Sequence, residues 1–340
     1  MEEIRAKVVS QERDLYRVKS EKGEIFAEVS GKFRYETSTV SDYPAVGDYV
    51  LVNWPEDESR GVITALFPRK NCFMRKAAGK EHREQVVAAN VDYVFLCMSL
   101  NNDYNLRRLE RYLSIAWDSG SSPVVVLTKA DLCDDVEPKK MEVEQIAIGV
   151  DVLVVSSYLN DFEKIFEYVK PGKTVAFIGS SGVGKSTLIN RLIGEDIIET
   201  QGLRDDDKGR HTTTHREVIE LSNGAFVIDT PGMRELGMWD SETGIDTTFS
   251  DIEELAGRCR FGDCTHTSEP GCAIRAAIEE GNLDIGRFDS YLKLKKENAY
   301  AADGSSYLEA KKQKFKEISK FNKHNKKVKD EAAEVFRCKI

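Results

Sequence analysis

Four residues, Thr128-Lys129-Ala130-Asp131, stand ahead of the glycine-rich stretch Gly179-Ser180-Ser181-Gly182-Val183-Gly184-Lys185-Ser186, and this order constrains the fold more than any other feature. In the pattern G-x-x-x-x-G-K-S the glycines let successive backbone amides turn inward around phosphate oxygens, and the helix that follows adds the positive end of its dipole. A Lys-x-Asp at the end of an apolar strand suits the guanine-reading element of a nucleotide switch. Such switches ordinarily carry the phosphate loop first and the base motif last. Here the order is reversed, and the remaining parts follow at switch spacing: His211-Thr212-Thr213-Thr214-His215, then Asp229-Thr230-Pro231-Gly232. The set implies an α/β P-loop GTPase domain whose sequence is circularly permuted.

Each motif position carries a chemical expectation. Gly179, Ser180, Ser181, Gly182, Val183 and Gly184 supply the phosphate cradle, with Thr187 in the helix behind it. Lys185 is expected to reach the β- and γ-phosphates, Ser186 to hold Mg²⁺ through its hydroxyl, and Asp229 to hold it from the far side. Of the three threonines, Thr214 is favoured to complete the Mg²⁺ shell, and Gly232 joins Lys185, Ser186, Thr214 and Asp229 in the catalytic set. Asp131 can accept from both the ring N1–H and the exocyclic amine of guanine; adenine would leave its carboxylate desolvated and unpaired, at a cost of about a few kcal/mol. The Lys129 stem covers one face of the base, and Thr128 stands where asparagine is more usual. Ser156 and Ser157 follow the next apolar strand, where a backbone amide can meet the guanine carbonyl oxygen. Met233 occupies the position at which many switches carry a water-orienting glutamine, so intrinsic hydrolysis is expected to be slow, with His211 and His215 the nearby candidates for water positioning. A partner that supplies the missing group or orders the loop can accelerate such a reaction by roughly 10⁵-fold.

Cys259-x₄-Cys264-x-His266-x₅-Cys272 offers three thiolates and an imidazole within fourteen residues, a donor set that matches one structural, tetrahedral Zn²⁺. Seven cysteines is an odd number, which favours reduced thiols over a disulfide framework. A net charge of -9 argues against a general nucleic-acid coat. Yet Lys311, Lys312, Lys314, Lys316, Lys320, Lys323, Lys326, Lys327 and Lys329 crowd one segment, and that concentration suits an RNA phosphate contact. The start, Met1-Glu2-Glu3, is acidic, and no run approaches the roughly 18 apolar residues of a membrane span. A cytoplasmic protein with no membrane partner is expected, and a monomer.

The organisation follows from periodicity. Short strands at 6–10, 14–18, 24–29, 48–52 and 61–66, broken by turn residues, imply a small closed β domain; the pattern alone suits an OB-type barrel or an SH3-like one equally. From about residue 86, buried β-branched runs alternate with helices, which means a parallel sheet covered on both faces. Glu217 to Leu221 and Ala225 to Asp229 read as a hairpin closed by the two-residue signal Asn223-Gly224. Beyond about 245 the pattern is helical. The expected units are 1–70, 71–244 and 245–340.

With the permuted order, Asp229-Thr230-Pro231-Gly232-Met233-Arg234-Glu235, Gly209-Arg210-His211-Thr212-Thr213-Thr214 and the Cys3His cluster together, the chain resembles the bacterial ribosome small-subunit-dependent GTPase A family over nearly its whole length. The resemblance implies an N-terminal OB fold, a permuted GTPase domain and a C-terminal helical zinc domain. It also implies binding of GTP and GDP, contacts with 16S rRNA, and action late in maturation of the 30S subunit, which stimulates hydrolysis. Thr128 and Ser157 depart from the family's usual asparagine and alanine.

Overall fold

The computed structural model describes residues 2–12, 14–37, 39–56, 60–76, 84–156, 162–194, 217–229 and 242–302. Five strands, β1 (Glu2–Glu12), β2 (Leu15–Ser20), β3 (Gly23–Val29), β4 (Tyr49–Trp54) and β5 (Gly61–Leu66), close a barrel in the order β1-β2-β3-β5-β4-β1. Helix α1 (Gly31–Glu36) lies between β3 and β4, and β3 pairs with β5 in parallel. Closure through that parallel pair is the Greek-key order of an OB barrel, which decides between the two barrels that the sequence pattern left open. Alternate residues fill the interior, among them Ala6, Val8, Tyr16, Val18, Val50, Val52 and Trp54, as the two-residue period of a strand requires.

β1 departs from simple alternation. Residues 6–10 are buried without interruption, because the barrel covers one face of the strand and the second sheet covers the other. Ala6 and Val8 face the barrel core, whereas Val9 packs with Val46, Val218 and Ile228. A hairpin, β6 (Cys72–Lys76) and β7 (Glu84–Ala89), lies against the barrel. Gly47 allows this contact: a Cβ there would sit 2.2 Å from the Ala89 carbonyl oxygen.

The second sheet is built from β8 (Tyr93–Ser99), α2 (Leu106–Ser119), β9 (Ser122–Thr128), α3 (Val136–Ile146), β10 (Asp151–Val154), α4 (Glu163–Phe166), β11 (Thr174–Ile178), α5 (Lys185–Ile193), β12 (Glu217–Glu220) and β13 (Phe226–Asp229). Its order is β10-β9-β8-β11-β13-β12, parallel except at β12. Strands are added to one side of β8 first and to its other side afterwards, so the direction of winding reverses between β8 and β11. One face buries Leu109, Leu113, Val143 and Ile146 of α2 and α3; the other buries Ile165, Leu188 and Ile189 of α4 and α5. β12 joins this sheet to the barrel through the Ser10–Glu217 pair of β1.

The β12–β13 connection differs from the two-residue turn expected from Asn223-Gly224. The Leu221 amide donates to the Ala225 carbonyl and the Gly224 amide to the Leu221 carbonyl, leaving three loop residues. Gly224 takes φ +78°, and Asn223 instead turns its side chain to the Val169 carbonyl (2.8 Å) and accepts from the Ala225 amide (3.0 Å).

Among the described residues four helices follow: α6 (Glu242–Thr248), α7 (Ser250–Ala256), α8 (Ala273–Glu279) and α9 (Ile285–Ala302). They lie over α2 and share its core, with Phe249, Ile252, Ile274 and Phe288 in one cluster with Leu109 and Leu113. Gly244 brings α6 so close that a Cβ would meet the Ser114 carbonyl oxygen at 2.1 Å. Among the described residues no helix is long and apolar enough to cross a membrane.

Candidate functional site

β11 delivers the chain to the crevice beside β8 where the winding reverses, the place at which open α/β sheets bind ligands. Gly179 is required there by close approach, since a Cβ would lie 2.5 Å from the Cys97 carbonyl oxygen. Gly182 and Gly184 take φ +73° and +103°, backbone that glycine adopts at little cost. The loop then enters α5, whose first turn carries Lys185, Ser186 and Thr187. Lys185 is buried, and its Nζ donates to the carbonyls of Gly179 (2.6 Å) and Ser180. The ammonium therefore sits inside the loop. Burial pushes the Cys97 thiol beneath it up to about 12, which makes that cysteine an inert spacer.

β9 ends next to this loop. The Thr128 hydroxyl donates to the Val183 carbonyl at 2.6 Å, so threonine at this position supplies a bond to the glycine-rich loop itself. Lys129 has φ 57° and ψ 39°, a left-handed conformation that costs a lysine about 1 kcal/mol or more. That bend aims the short 3₁₀ turn Ala130–Leu132 across the end of the sheet. There the buried Ser156 hydroxyl donates to Asp131 Oδ1 at 2.7 Å, while Asp131 itself is exposed. Backbone bonds from Val155 to Leu127 (2.8 Å) and from Ala130 to Val155 (3.4 Å) hold the two strand ends together. The result is an oriented carboxylate open to solvent beside a glycine loop with an inward ammonium.

A second constellation lies between α7 and α8. The ligand atoms of Cys259, Cys264, His266 and Cys272 all fall within 4.8 Å of one another. His266 Nδ1 is 3.6 Å from Cys259 Sγ and 3.5 Å from Cys272 Sγ, and the two sulfurs are 4.0 Å apart. A tetrahedral ion with bonds of about 2.3 Å to sulfur and about 2.0 Å to nitrogen needs separations of ~3.8 Å and ~3.5 Å, so these residues can hold one metal ion. Cys272 caps α8 and accepts from the Arg275 amide (3.5 Å). Glu269 pins the intervening loop, accepting from the amides of Thr265 (3.0 Å), Thr267 (2.9 Å) and Ser268 (3.0 Å) and from the Thr265 hydroxyl. Those donors, the Thr265 hydroxyl first, hold its carboxyl down at about 2.

Asp229 is placed by its backbone, at the end of β13 opposite Glu217. Ser157, His211, Thr212, Thr213, Thr214, His215, Gly232, Met233 and the lysine-rich stretch 308–329 lie outside the described residues.

The family model for the RsgA GTPase matches residues 66–239, which takes in both the base motif and the phosphate loop. The chain belongs to the RsgA GTPase family. Among curated relatives, "Small ribosomal subunit biogenesis GTPase RsgA 2" of Lactiplantibacillus plantarum is 48% identical over 309 residues, covering 90% of this chain and 87% of that protein. The protein of the same name in Listeria monocytogenes is 49% identical over 296 residues, covering 86% and 83%. Two solved structures are similar as well. YjeQ from Thermotoga maritima superposes with a TM-score of 0.64 at 28% identity, over 86% of this chain and 97% of its own. YloQ, described as a circularly permuted GTPase, gives 0.60 at 26% identity over 86% and 93%. The permuted motif order of this chain thus has a counterpart in a solved structure of similar fold.

Two neighbours of these sites carry no motif in the sequence. Asp103 receives the Ser180 hydroxyl of the glycine loop, and Glu269 organises the cysteine loop. Neither has a periodic or spacing signal. For Glu269, its place between His266 and Cys272 was the one available hint.

Proposed function

We propose that the chain is a GTPase that binds the small ribosomal subunit and assists late 30S maturation, hydrolysing GTP to GDP and phosphate under stimulation by the subunit. The observation that carries this reading is the hydrogen bond from Thr128 to Val183, which joins a guanine-type motif to a phosphate loop lying after it in sequence. The curated names of its relatives supply the ribosomal partner.

In this reading residues 179–187 bind the phosphates, with Lys185 leaving its loop carbonyls for the β- and γ-oxygens. Thr128, Lys129, Ala130, Asp131, Ser156 and Ser157 bind the base, Asp131 accepting from the guanine N1–H and amine. Ser186, Thr214 and Asp229 are the proposed Mg²⁺ residues, and Gly232 belongs with them at the γ-phosphate. When bound, Mg²⁺ neutralises charge on the β- and γ-phosphates. The metal of the Cys259, Cys264, His266 and Cys272 set is Zn²⁺; four protein ligands leave no open position, so its role is structural. The partners are GTP, GDP, the 30S subunit and its 16S rRNA, the last met in part by the lysines of 308–329. The working form is a cytoplasmic monomer in three units, 1–70, 71–244 and 245–340.

The test is GTP turnover with and without purified 30S subunits over a series of salt concentrations. Stimulation that fades as salt rises, and is lost in Lys185→Ala, is expected. A protein that turns over GTP no faster with subunits at any salt would end this proposal.

A further inference from the structure

The crevice between β8 and β11 holds a carboxylate that a phosphate site does not need. Asp103 stands in the loop between β8 and α2, and the Ser180 hydroxyl of the glycine loop donates to its Oδ2. Its Oδ1 accepts from Arg108 Nη1 at 2.8 Å, and Arg108 Nη2 returns to the Asp103 carbonyl at 3.1 Å. Asn101 Oδ1 accepts from both the Asp103 amide (3.2 Å) and the Ser99 hydroxyl (2.8 Å). Asn105 caps α2 by accepting from the Arg108 amide at 3.0 Å. The side chains of Asp103 and Arg108 are 37% and 30% exposed, so each charge is partly screened and neither is a core element.

This arrangement has two opposed electrical effects on the loop. Ser180 is shared: its hydroxyl binds Asp103, and its carbonyl accepts from the Lys185 ammonium. A negative charge so close behind the loop repels the phosphates the loop is shaped to take, while Arg108 offsets part of that repulsion. A nucleotide switch has to release its product as well as bind its substrate. A carboxylate placed here serves release.

We propose that Asp103 is a positioning residue that supports the phosphate loop through Ser180 while its charge, moderated by Arg108, weakens the hold on nucleotide phosphates and speeds GDP release. The inference rests on residues 179–186 being the phosphate loop. Asp103→Asn keeps an acceptor for Ser180 and removes the charge; Arg108→Gln leaves the carboxylate uncompensated. Stopped-flow dissociation of a fluorescent GDP from the full-length variants reads both. Release is expected to slow roughly three- to tenfold in Asp103→Asn and to quicken by a similar factor in Arg108→Gln, with both differences shrinking at high salt. A support without an electrostatic role would give changes of the same sign, or none, and either result overturns the proposal. Failure of the underlying loop reading looks different: unaltered protein would not bind fluorescent GDP, or Lys185→Ala would bind it equally well, and the inference would fall with that reading.

Discussion

Thr128 and Val183 are 55 residues apart in sequence, and the Thr128 hydroxyl binds the Val183 carbonyl at 2.6 Å. Both residues are buried, so the bond ties the end of β9 to the glycine-rich loop, the proposed phosphate loop, over the top of β8. Thr128→Val keeps the shape and leaves the Val183 carbonyl without this donor, a loss of about 1–3 kcal/mol. GDP affinity is expected to fall roughly five- to tenfold, with Thr128→Ser close to the unaltered protein. Titration with fluorescent GDP decides the matter; equal affinity in Thr128→Val would show that the loop does not depend on this bond.

Asp131 faces solvent with one oxygen held by Ser156, which leaves the other edge open for the proposed reading of guanine. Asp131→Asn replaces one acceptor by a donor, so the guanine amine would meet an N–H group. GTP binding is expected to weaken at least about a hundredfold, and xanthosine triphosphate, which has a carbonyl in place of that amine, to become the better ligand. Competition between the two nucleotides for the variant checks this. A variant that still prefers GTP would place guanine selection elsewhere.

The legible parts of this molecule were those with a short-range signature. Alternation marked the barrel strands, β-branched runs marked β8, β9 and β11, and the nucleotide and cysteine motifs are contiguous in sequence. What escaped depends on meetings between distant segments. Lys7 reads as an outward residue of an alternating strand, yet it is 4% exposed because β1 is covered on both faces. The Asp103–Ser180 contact spans 77 residues. Asn223-Gly224 specified a turn correctly but not its length, because the Asn223 amide finds the Val169 carbonyl across 54 residues. The common core of α2 with α6 to α9 depends likewise on Gly244 meeting Ser114, which no local pattern announces.

Lys7 supplies a pH prediction. Its ammonium donates to Thr174 Oγ1 at 2.7 Å and lies 4.1 Å from the centre of the Phe226 ring and 5.0 Å from that of Tyr49. Burial pushes its pKa down from 10.5 to about 8, against the attraction of Asp92 and Glu220 and with the repulsion of Lys70 and Arg5. A folded pKa below the unfolded one means that the unfolded chain binds the proton more tightly. The penalty is fully present below about pH 8 and is relieved as pH rises towards 10.5, by an amount on the order of 2–3 kcal/mol. Urea unfolding of Lys7→Met beside the unaltered protein, at pH 7 to 10, isolates the effect, since other groups cancel in the difference. The stability gap in favour of Lys7→Met should narrow as pH rises; a gap that stays flat would mean that Lys7 titrates normally.

The cysteine site should take up metal with loss of protons. Burial, joined by the neighbouring thiols of Cys272 and Cys259, pushes Cys264 up to about 11, so at neutral pH it carries a proton that a metal–thiolate bond must expel. Apparent zinc affinity is therefore expected to rise with pH, by about tenfold per unit for each proton released. Calorimetric titration in buffers of different ionisation enthalpy counts the protons, and uptake without proton release would contradict the assignment of Cys264 as a thiolate ligand. Glu269→Gln should weaken metal retention without touching a ligand, because the loop loses its charged acceptor.

Glu110 and Arg287 tie the C-terminal helices to α2. Glu110 is fully buried, and Oε1 accepts from Arg287 Nη1 at 3.0 Å. Arg287 also reaches Asp251 with two nitrogens, at 2.9 and 2.7 Å, and the Thr248 carbonyl at 2.9 Å, so one side chain joins α2, α6, α7 and α9. Arg107 is the other cation on Glu110, and it extends to Asp284. Burial raises the Glu110 pKa, and a hydrogen bond with Ser290 and the two arginines oppose that rise. Removing one partner strands a buried charge, so Arg287→Met is expected to cost about 3–5 kcal/mol. Arg287→Met combined with Glu110→Leu removes both charges and should cost less than the sum of the single changes by at least about 2 kcal/mol. Urea unfolding of the two single variants and the double variant closes this cycle. Strictly additive costs would mean that the pair is not coupled, and that the other contacts, the apolar ones of Phe249, Ile252 and Phe288 and the ion pairs Arg107–Asp284 and Arg111–Glu297, hold the C-terminal helices on α2 without it.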